Sequence, residues 1–195
     1  MVFIMPDNLN LPSDVETWYK GVGVDFFKKL NVKENQRILD FGSRIGNYSI
    51  PIAQIIGENG KVFALDVNHD ALDELMERAK FYNLDNIFPI KTDGELKIKL
   101  PDNSIDIILF YDVIYPICRR KGLKAYNEIL SEFHRILKKD GILSILFAHL
   151  DDLDLTIDNA IEITVEKFDF IGELEHLTMH WNLLKNGIIH NFRKK

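Results

Sequence analysis

Cysteine is nearly missing from this chain. Cys118 is the only one among 195 residues, which excludes an internal disulfide framework and a cysteine-built zinc cluster and suits a reducing compartment. Long apolar runs are missing as well. No stretch reaches the roughly 18 to 20 residues needed to span a bilayer, and residues 1–12 lack the basic segment and hydrophobic centre of a signal peptide. A cytoplasmic protein without a membrane partner is expected. Nor is there an excess of positive charge. The net charge of -6 gives no long-range attraction to nucleic acid. The short basic runs (Arg119, Arg120, Lys121 and Lys124; residues 193–195) read as solvated surface, so nucleic acid ranks well below a small molecule as substrate. Internal repeats and low-complexity segments are absent too, so the chain is read element by element.

What is present is ordinary globular composition. Hydrophobic residues make up 46% and charged residues 28%, enough apolar material for one real core at this length. The expectation is one domain over residues 1–195, with residues 1–30 as an N-terminal helical lid or flap.

Strand-like apolar runs occur at Arg37 to Phe41, Lys61 to Asp66, 87–92, Ile105 to Tyr111 and 141–148. Helical patterns alternate with them. Leu72, Leu75, Ala79 and Tyr82 share one helical face, and Tyr126, Ile129, Leu130, Phe133 and Leu137 share another. The second helix is expected to close with Lys138 and Lys139 ahead of Asp140-Gly141. Strands alternating with amphipathic helices imply right-handed crossovers and a Rossmann-like, doubly wound, mostly parallel sheet with helices on both faces. After a helix over 158–167, the runs 168–181 and 188–192 read as an antiparallel pair joined by a loop containing Asn186-Gly187. Near the start, Ser13 is expected to cap a helix that Gly21 and Gly23 interrupt. Trp18 and Tyr19 in that segment either cover a ligand or pack into the core.

The chemistry concentrates where the first strand ends in Asp40-Phe41-Gly42 and the turn Ser43-Arg44-Ile45-Gly46 feeds a helix. In open α/β sheets, nucleotides bind beyond the carboxyl ends of the strands, where strand order reverses. Asp66 ends the second strand about where a carboxylate would accept hydrogen bonds from a ribose diol. Asp93 follows the third. A carboxylate after a strand is common because it stabilises turns, but three in succession at one edge point to a ligand.

These residues, together with Thr92 to Gly94, Leu100 to Tyr115 and Glu132 to Ile145, resemble the class I S-adenosylmethionine-dependent methyltransferases. The likeness spans 37–147. It is nearest to the branch of ubiquinone and menaquinone biosynthesis methyltransferases, where Leu100-Pro101-Asp102-Asn103-Ser104 ahead of the fourth strand is a familiar phrase. The resemblance implies a seven-stranded sheet with a reversed last strand. It also implies Asp40, Gly42 and Gly46 beside the methionine part of the cofactor, Asp66 on the ribose and Asp93 near the adenine amino group. Ser43, Arg44, Val67 and Gly94 complete the implied lining.

Arg44 stands where the family pattern has its middle glycine, which leaves open crowding of the cofactor or an altered turn. The expected activity is methyl transfer from S-adenosylmethionine, leaving S-adenosylhomocysteine, to a small-molecule acceptor. The alternative is a binding or regulatory protein of the same fold without turnover. A nicotinamide oxidoreductase ranks last, because neither Gly-x-Gly-x-x-Gly nor a Tyr-x-x-x-Lys pair is present.

Beyond the fifth strand, His149 is the candidate base for a weakly acidic acceptor, or an ordinary loop histidine. Asp112 and Tyr115 either face substrate or stabilise the turn before Pro116. His176, His180 and His190 fall on the last strand pair, where they either cluster if the register permits or, as the preferred reading, are surface histidines of a hairpin. His149 with Asp151 and Asp152 has no specific ligand spacing, so no metal site is expected.

Overall fold

The computed structural model describes residues 11–195. Its centre is a seven-stranded sheet in the order β3-β2-β1-β4-β5-β7-β6. The strands are β1 (Arg37–Phe41), β2 (Lys61–Asp66), β3 (Ile87–Lys91), β4 (Ile105–Tyr111), β5 (Leu137–Leu146), β6 (Phe168–His180) and β7 (Leu183–Lys194). β1 to β5 pair in parallel, and β7 runs antiparallel to both β5 and β6. The doubly wound sheet with a reversed last strand is therefore as expected, and β1, β2 and β4 have the bounds of their apolar runs. Their boundaries are legible because each central strand is buried on both faces. Ile38, Ile107 and Leu109 feed one core while Leu39, Ile108 and Phe110 feed the other.

The helices are α1 (Ser13–Thr17), joined to α2 (Gly23–Lys29) through a π turn (Trp18–Val22) that kinks at Gly21, then α3 (Ser49–Ile56), α4 (His69–Phe81), α5 (Ile114–Lys121), α6 (Lys124–Ile136) and α7 (Ile157–Val165). Asn68 caps α4 by accepting from the Ala71 N–H at 3.1 Å, a contact worth about 1 kcal/mol. Leu72, Leu75 and Ala79 then face the first core. The second core takes Tyr126, Ile129, Leu130 and Phe133 from α6, together with Cys118.

Four local expectations are corrected. Residues 1–10 lie outside the described residues, and the rest of the expected lid buries its apolar face in the core: Val15, Trp18, Tyr19, Phe26 and Phe27 are at most 1% exposed. Ser13 is the first residue of α1, and Pro12 holds the cap position without a side-chain bond. α6 ends at Ile136 rather than Lys139. Leu137 already pairs with Ile105, and Lys138 Nζ donates to both Asp106 oxygens at 2.8 and 2.9 Å, so the chain leaves the helix early and bulges before Ile142 meets Ile107. Lastly, the β6–β7 turn is Trp181-Asn182. Asn186 and Gly187 lie within β7 opposite Leu177 and His176, and a side chain at Gly187 would meet Thr178 Oγ1 at 2.7 Å.

Candidate active site

The carboxyl ends of the strands open into a cavity of about 830 Å3, within the size range of small-molecule sites. It lies where the order turns from β2-β1 to β4-β5, the switch point of a doubly wound sheet. Its wall brings together Asp40, Gly42, Ser43, Arg44, Asp66, Val67, Asp93 and Gly94 from the β1, β2 and β3 edges, with Asp112, Tyr115 and His149 beyond β4 and β5. Gly46 lies one turn behind. Trp18 and Tyr19 are not in this wall, and the reason is packing: both are sealed in the core.

They act on the wall indirectly. Trp18 Nε1 donates to the Asn47 carbonyl at 2.8 Å, and Asn47 Nδ2 donates to the Trp181 carbonyl at 2.5 Å. Tyr48 does similar work, since its hydroxyl donates to the Met179 carbonyl and accepts from the Met179 N–H, both at 3.0 Å. The β6–β7 hairpin is thereby pinned to the glycine turn.

That turn is closed by the Gly46 N–H to the Ser43 carbonyl at 2.9 Å. Gly42 and Gly46 have φ of 84° and 83°, and an added Cβ would lie 2.3 Å from Val113 Cγ1 and 2.0 Å from Leu75 Cδ1 respectively. Both positions therefore need glycine on conformation and on space. Arg44, where the family pattern has a glycine, adopts a left-handed conformation with φ of 47°. Its N–H donates to Asp66 Oδ2 at 2.8 Å, and its guanidinium carbon lies 3.7 Å from the centre of the Trp181 ring.

Charge in the wall is uneven. Asp40 is buried, and loss of hydration pushes its carboxyl up to about 7 despite the Ser49 hydroxyl donating to it at 2.5 Å; the Asp66 charge adds to the rise. Asp66 itself is fixed by two main-chain donors, the Arg44 and Asn68 N–H groups, each at 2.8 Å. Ser43 Oγ is buried with no hydrogen-bond partner among the described residues. Asp93 is exposed at the open end.

Across the cavity, one Asp112 oxygen lies 2.8 Å from His180 Nδ1, and the other lies 3.7 Å from His149 Nε2. His180 is a cavity-wall residue that the sequence did not single out as a site candidate. No local signal marks it, because its place follows from a turn that tertiary contacts set. His176 and His190 lie elsewhere, their side chains largely buried against Asp25 and Glu173, so the three histidines of the hairpin neither cluster nor form an exposed surface set. Asp151 and Asp152 are outside the wall. The basic run is partly in it: Arg120 and Lys121 line the rim, while Arg119 donates to the Tyr115 hydroxyl at 2.9 Å.

A family model described as a methyltransferase domain matches residues 32–185. The chain belongs to the methyltransferase-domain family. This is the family that the motifs between Arg37 and Phe147 resemble. A demethylmenaquinone methyltransferase of Lactobacillus johnsonii is 30% identical over 121 residues, 62% of this chain and 47% of that protein. A probable cobalt-precorrin-6B C(15)-methyltransferase of Saccharolobus solfataricus is 24% identical over 170 residues, 86% of this chain and 78% of that protein. The chain thus spans about half the length of the first of these relatives. Among solved structures, an S-adenosylmethionine-dependent methyltransferase from Aquifex aeolicus aligns with a TM-score of 0.71 at 20% identity, covering 94% of this chain and 98% of its own. That likeness shows the shared fold. Among the described residues, no helix is long and apolar enough to cross a membrane.

Proposed function

We propose that this protein transfers a methyl group from S-adenosylmethionine to a small-molecule acceptor held at the β4–β5–β6 end of the cavity. The observation that carries this reading is the file of carboxylates along one wall, Asp93, Asp66 and Asp40 in the spatial order of β3, β2 and β1. Their chemistry suits the parts of an adenosyl amino acid in turn: the adenine amino group at Asp93, the ribose diol at Asp66 and the ammonium near Asp40. Gly42 and Gly46 let the backbone approach, and the unpartnered Ser43 hydroxyl offers a buried polar contact. Family membership supports the same donor.

S-adenosylmethionine, when bound, supplies an electrophilic methyl group. The chain's task is then alignment and exclusion of water rather than covalent chemistry. Tyr48, Met179 and the Trp181-Asn182 turn wall the middle of the cavity, while Asp112, His149, His180 and Tyr115 surround the far end, where imidazole is available to receive a proton from an acceptor hydroxyl or amine. The reading of a binding protein without turnover draws on Arg44. Its left-handed backbone and its stacking on Trp181 leave the turn from Ser43 to Gly46 closed by its own hydrogen bond, which favours the enzyme.

Calorimetry with S-adenosylmethionine, S-adenosylhomocysteine and NAD tests the reading. Binding of the two adenosyl compounds and not of NAD is expected. No binding of either adenosyl compound would sink it, and binding without methyl transfer to any quinol, phenol or amine in an acceptor panel would favour the alternative.

A further inference from the structure

We propose that Asp112, His149 and His180 form a site for one divalent first-row transition-metal ion in the cavity wall. The three come from separate elements: Asp112 follows β4, His149 follows β5 and His180 ends β6. Their ligand atoms all lie within 4.8 Å of one another. Metal bonds of about 2.0 to 2.2 Å hold neighbouring ligand atoms about 3.0 to 3.5 Å apart, and the two imidazole–carboxylate distances, 2.8 Å from His180 Nδ1 to Asp112 Oδ2 and 3.7 Å from His149 Nε2 to Asp112 Oδ1, bracket that spacing with one carboxylate oxygen facing each ring.

Hydrogen bonding does not account for the arrangement. His180 Nδ1 approaches Asp112 Oδ2 to ion-pair distance at 2.8 Å, and 3.7 Å from His149 Nε2 to Asp112 Oδ1 is too long for a hydrogen bond. Yet the two imidazole rings converge, with centroids 5.5 Å apart, on opposite oxygens of one carboxylate. Left-handed backbone occurs at or beside each of the three positions. Asp112 and His149 hold φ of 59° and 55°, and Trp181 directly after His180 holds 57°.

Two imidazoles and a carboxylate are a donor set for Zn2+, Fe2+, Co2+ or Mn2+, and poorly suited to Mg2+ or Ca2+, which take oxygen. Three protein ligands leave coordination positions open toward the cavity, and those would receive an oxygen of the acceptor. There, coordination acidifies an acceptor hydroxyl and its proton passes to solvent, so in the metal-loaded site this replaces the proton transfer to imidazole described for the metal-free cavity. This role rests on the proposed function, whereas the binding of the ion does not.

The test uses the full chain without a histidine tag, stripped with chelator, then titrated with Co2+ and Zn2+ by calorimetry and by the visible absorption of bound Co2+. Uptake of one ion per chain is expected, with Mg2+ and Ca2+ at least about 100-fold weaker. His180→Ala and Asp112→Asn should weaken Co2+ binding by about 100-fold or more. Far-UV circular dichroism checks their folding, and His149→Ala, on an exposed loop, gives the same readout at little risk to the fold. No stoichiometric uptake, or uptake untouched by these substitutions, overturns the site. S-adenosylmethionine is titrated into the same samples: donor binding without metal uptake defeats the metal site alone, and metal uptake without donor binding defeats the proposed function alone.

Discussion

Arg44 and Trp181 each occupy a left-handed backbone conformation, at φ of 47° and 57°, and their side chains stack with the guanidinium carbon 3.7 Å from the ring centre. Each torsion costs of order 1 to 3 kcal/mol, while one cation–π contact at a partly exposed site returns about 0.5 to 2. The stack alone therefore does not hold the pair in place. The Arg44 N–H to Asp66 and the Asn47 side chain on the Trp181 carbonyl supply the rest. The contact joins the glycine turn of β1 to the β6–β7 turn, which closes one side of the cavity.

Replacing Arg44 by glycine relieves one strained torsion and removes the stack, so global stability should change by less than about 1 kcal/mol. The Asp66 bond is made by the main chain and survives, so affinity for S-adenosylmethionine should stay within about threefold. The change should show at Trp181. This ring is 63% exposed and the other tryptophan, Trp18, is 0% exposed, so acrylamide quenching of emission reports on the turn and should increase. Loss of donor affinity by more than about tenfold would mean that the guanidinium touches the ligand.

The contrast between those two turns explains what the sequence made legible. The glycine turn carries its signature locally, because Gly42 and Gly46 answer to torsion and to immediate neighbours. The hairpin turn does not. Asn186-Gly187 has the chemistry of a tight turn, yet Trp181-Asn182 is the turn, with φ positive at Trp181 as in a II′ hairpin whose first position glycine usually fills. Asn47 and Arg44, more than 130 positions upstream, make that choice, and His180 enters the wall with it. The misread end of α6 has the same origin, since Lys138 answers to Asp106 on a neighbouring strand. An aromatic pattern alone cannot distinguish lid from core at Trp18 and Tyr19. What separates the two is tertiary packing, Trp18 against Tyr48 and Tyr19 against Tyr82.

Asp66→Ala removes the acceptor for two main-chain N–H groups as well as the proposed ribose contact. Charge-assisted bonds of this kind are worth about 1.5 to 3 kcal/mol each, so donor affinity should fall more than tenfold and the turn should lose stability. Asp66→Asn keeps acceptor geometry on one oxygen and should recover part of the stability in a urea melt. Unchanged donor affinity in both variants would remove Asp66 from the site.

Gly46→Ala combines a left-handed torsion with a Cβ placed 2.0 Å from Leu75 Cδ1. About 1 to 3 kcal/mol of destabilisation is expected. Leu75→Ala, at a fully buried position, should cost about 2 to 5 kcal/mol by itself. In the double variant the added methyl group enters the space that Leu75 vacates, so the two effects should sum to less than their parts, by more than about 0.5 kcal/mol. Strict additivity in denaturant melts would show that torsion alone makes the glycine necessary.

Asp40 gives the site a pH dependence of defined sign. Its carboxyl ionises at about 7 in the folded protein, raised by burial, and near 4 in an unfolded chain. The folded state therefore binds this proton more tightly, and Asp40's contribution to stability declines as pH rises from about 4 to about 7, then levels. Donor binding follows the opposite slope. A cationic ligand favours the carboxylate, so below about pH 7 binding must expel the proton, and affinity should rise by up to about tenfold per pH unit until it flattens above that value. Ser49→Ala removes the hydroxyl that favours ionisation and should move the bend to higher pH. Asp40→Asn should flatten the profile at low affinity. Calorimetry between about pH 5.5 and about pH 8.5 measures all three proteins, and a wild-type affinity that is constant over this range would take Asp40 out of contact with the ligand's positive charge.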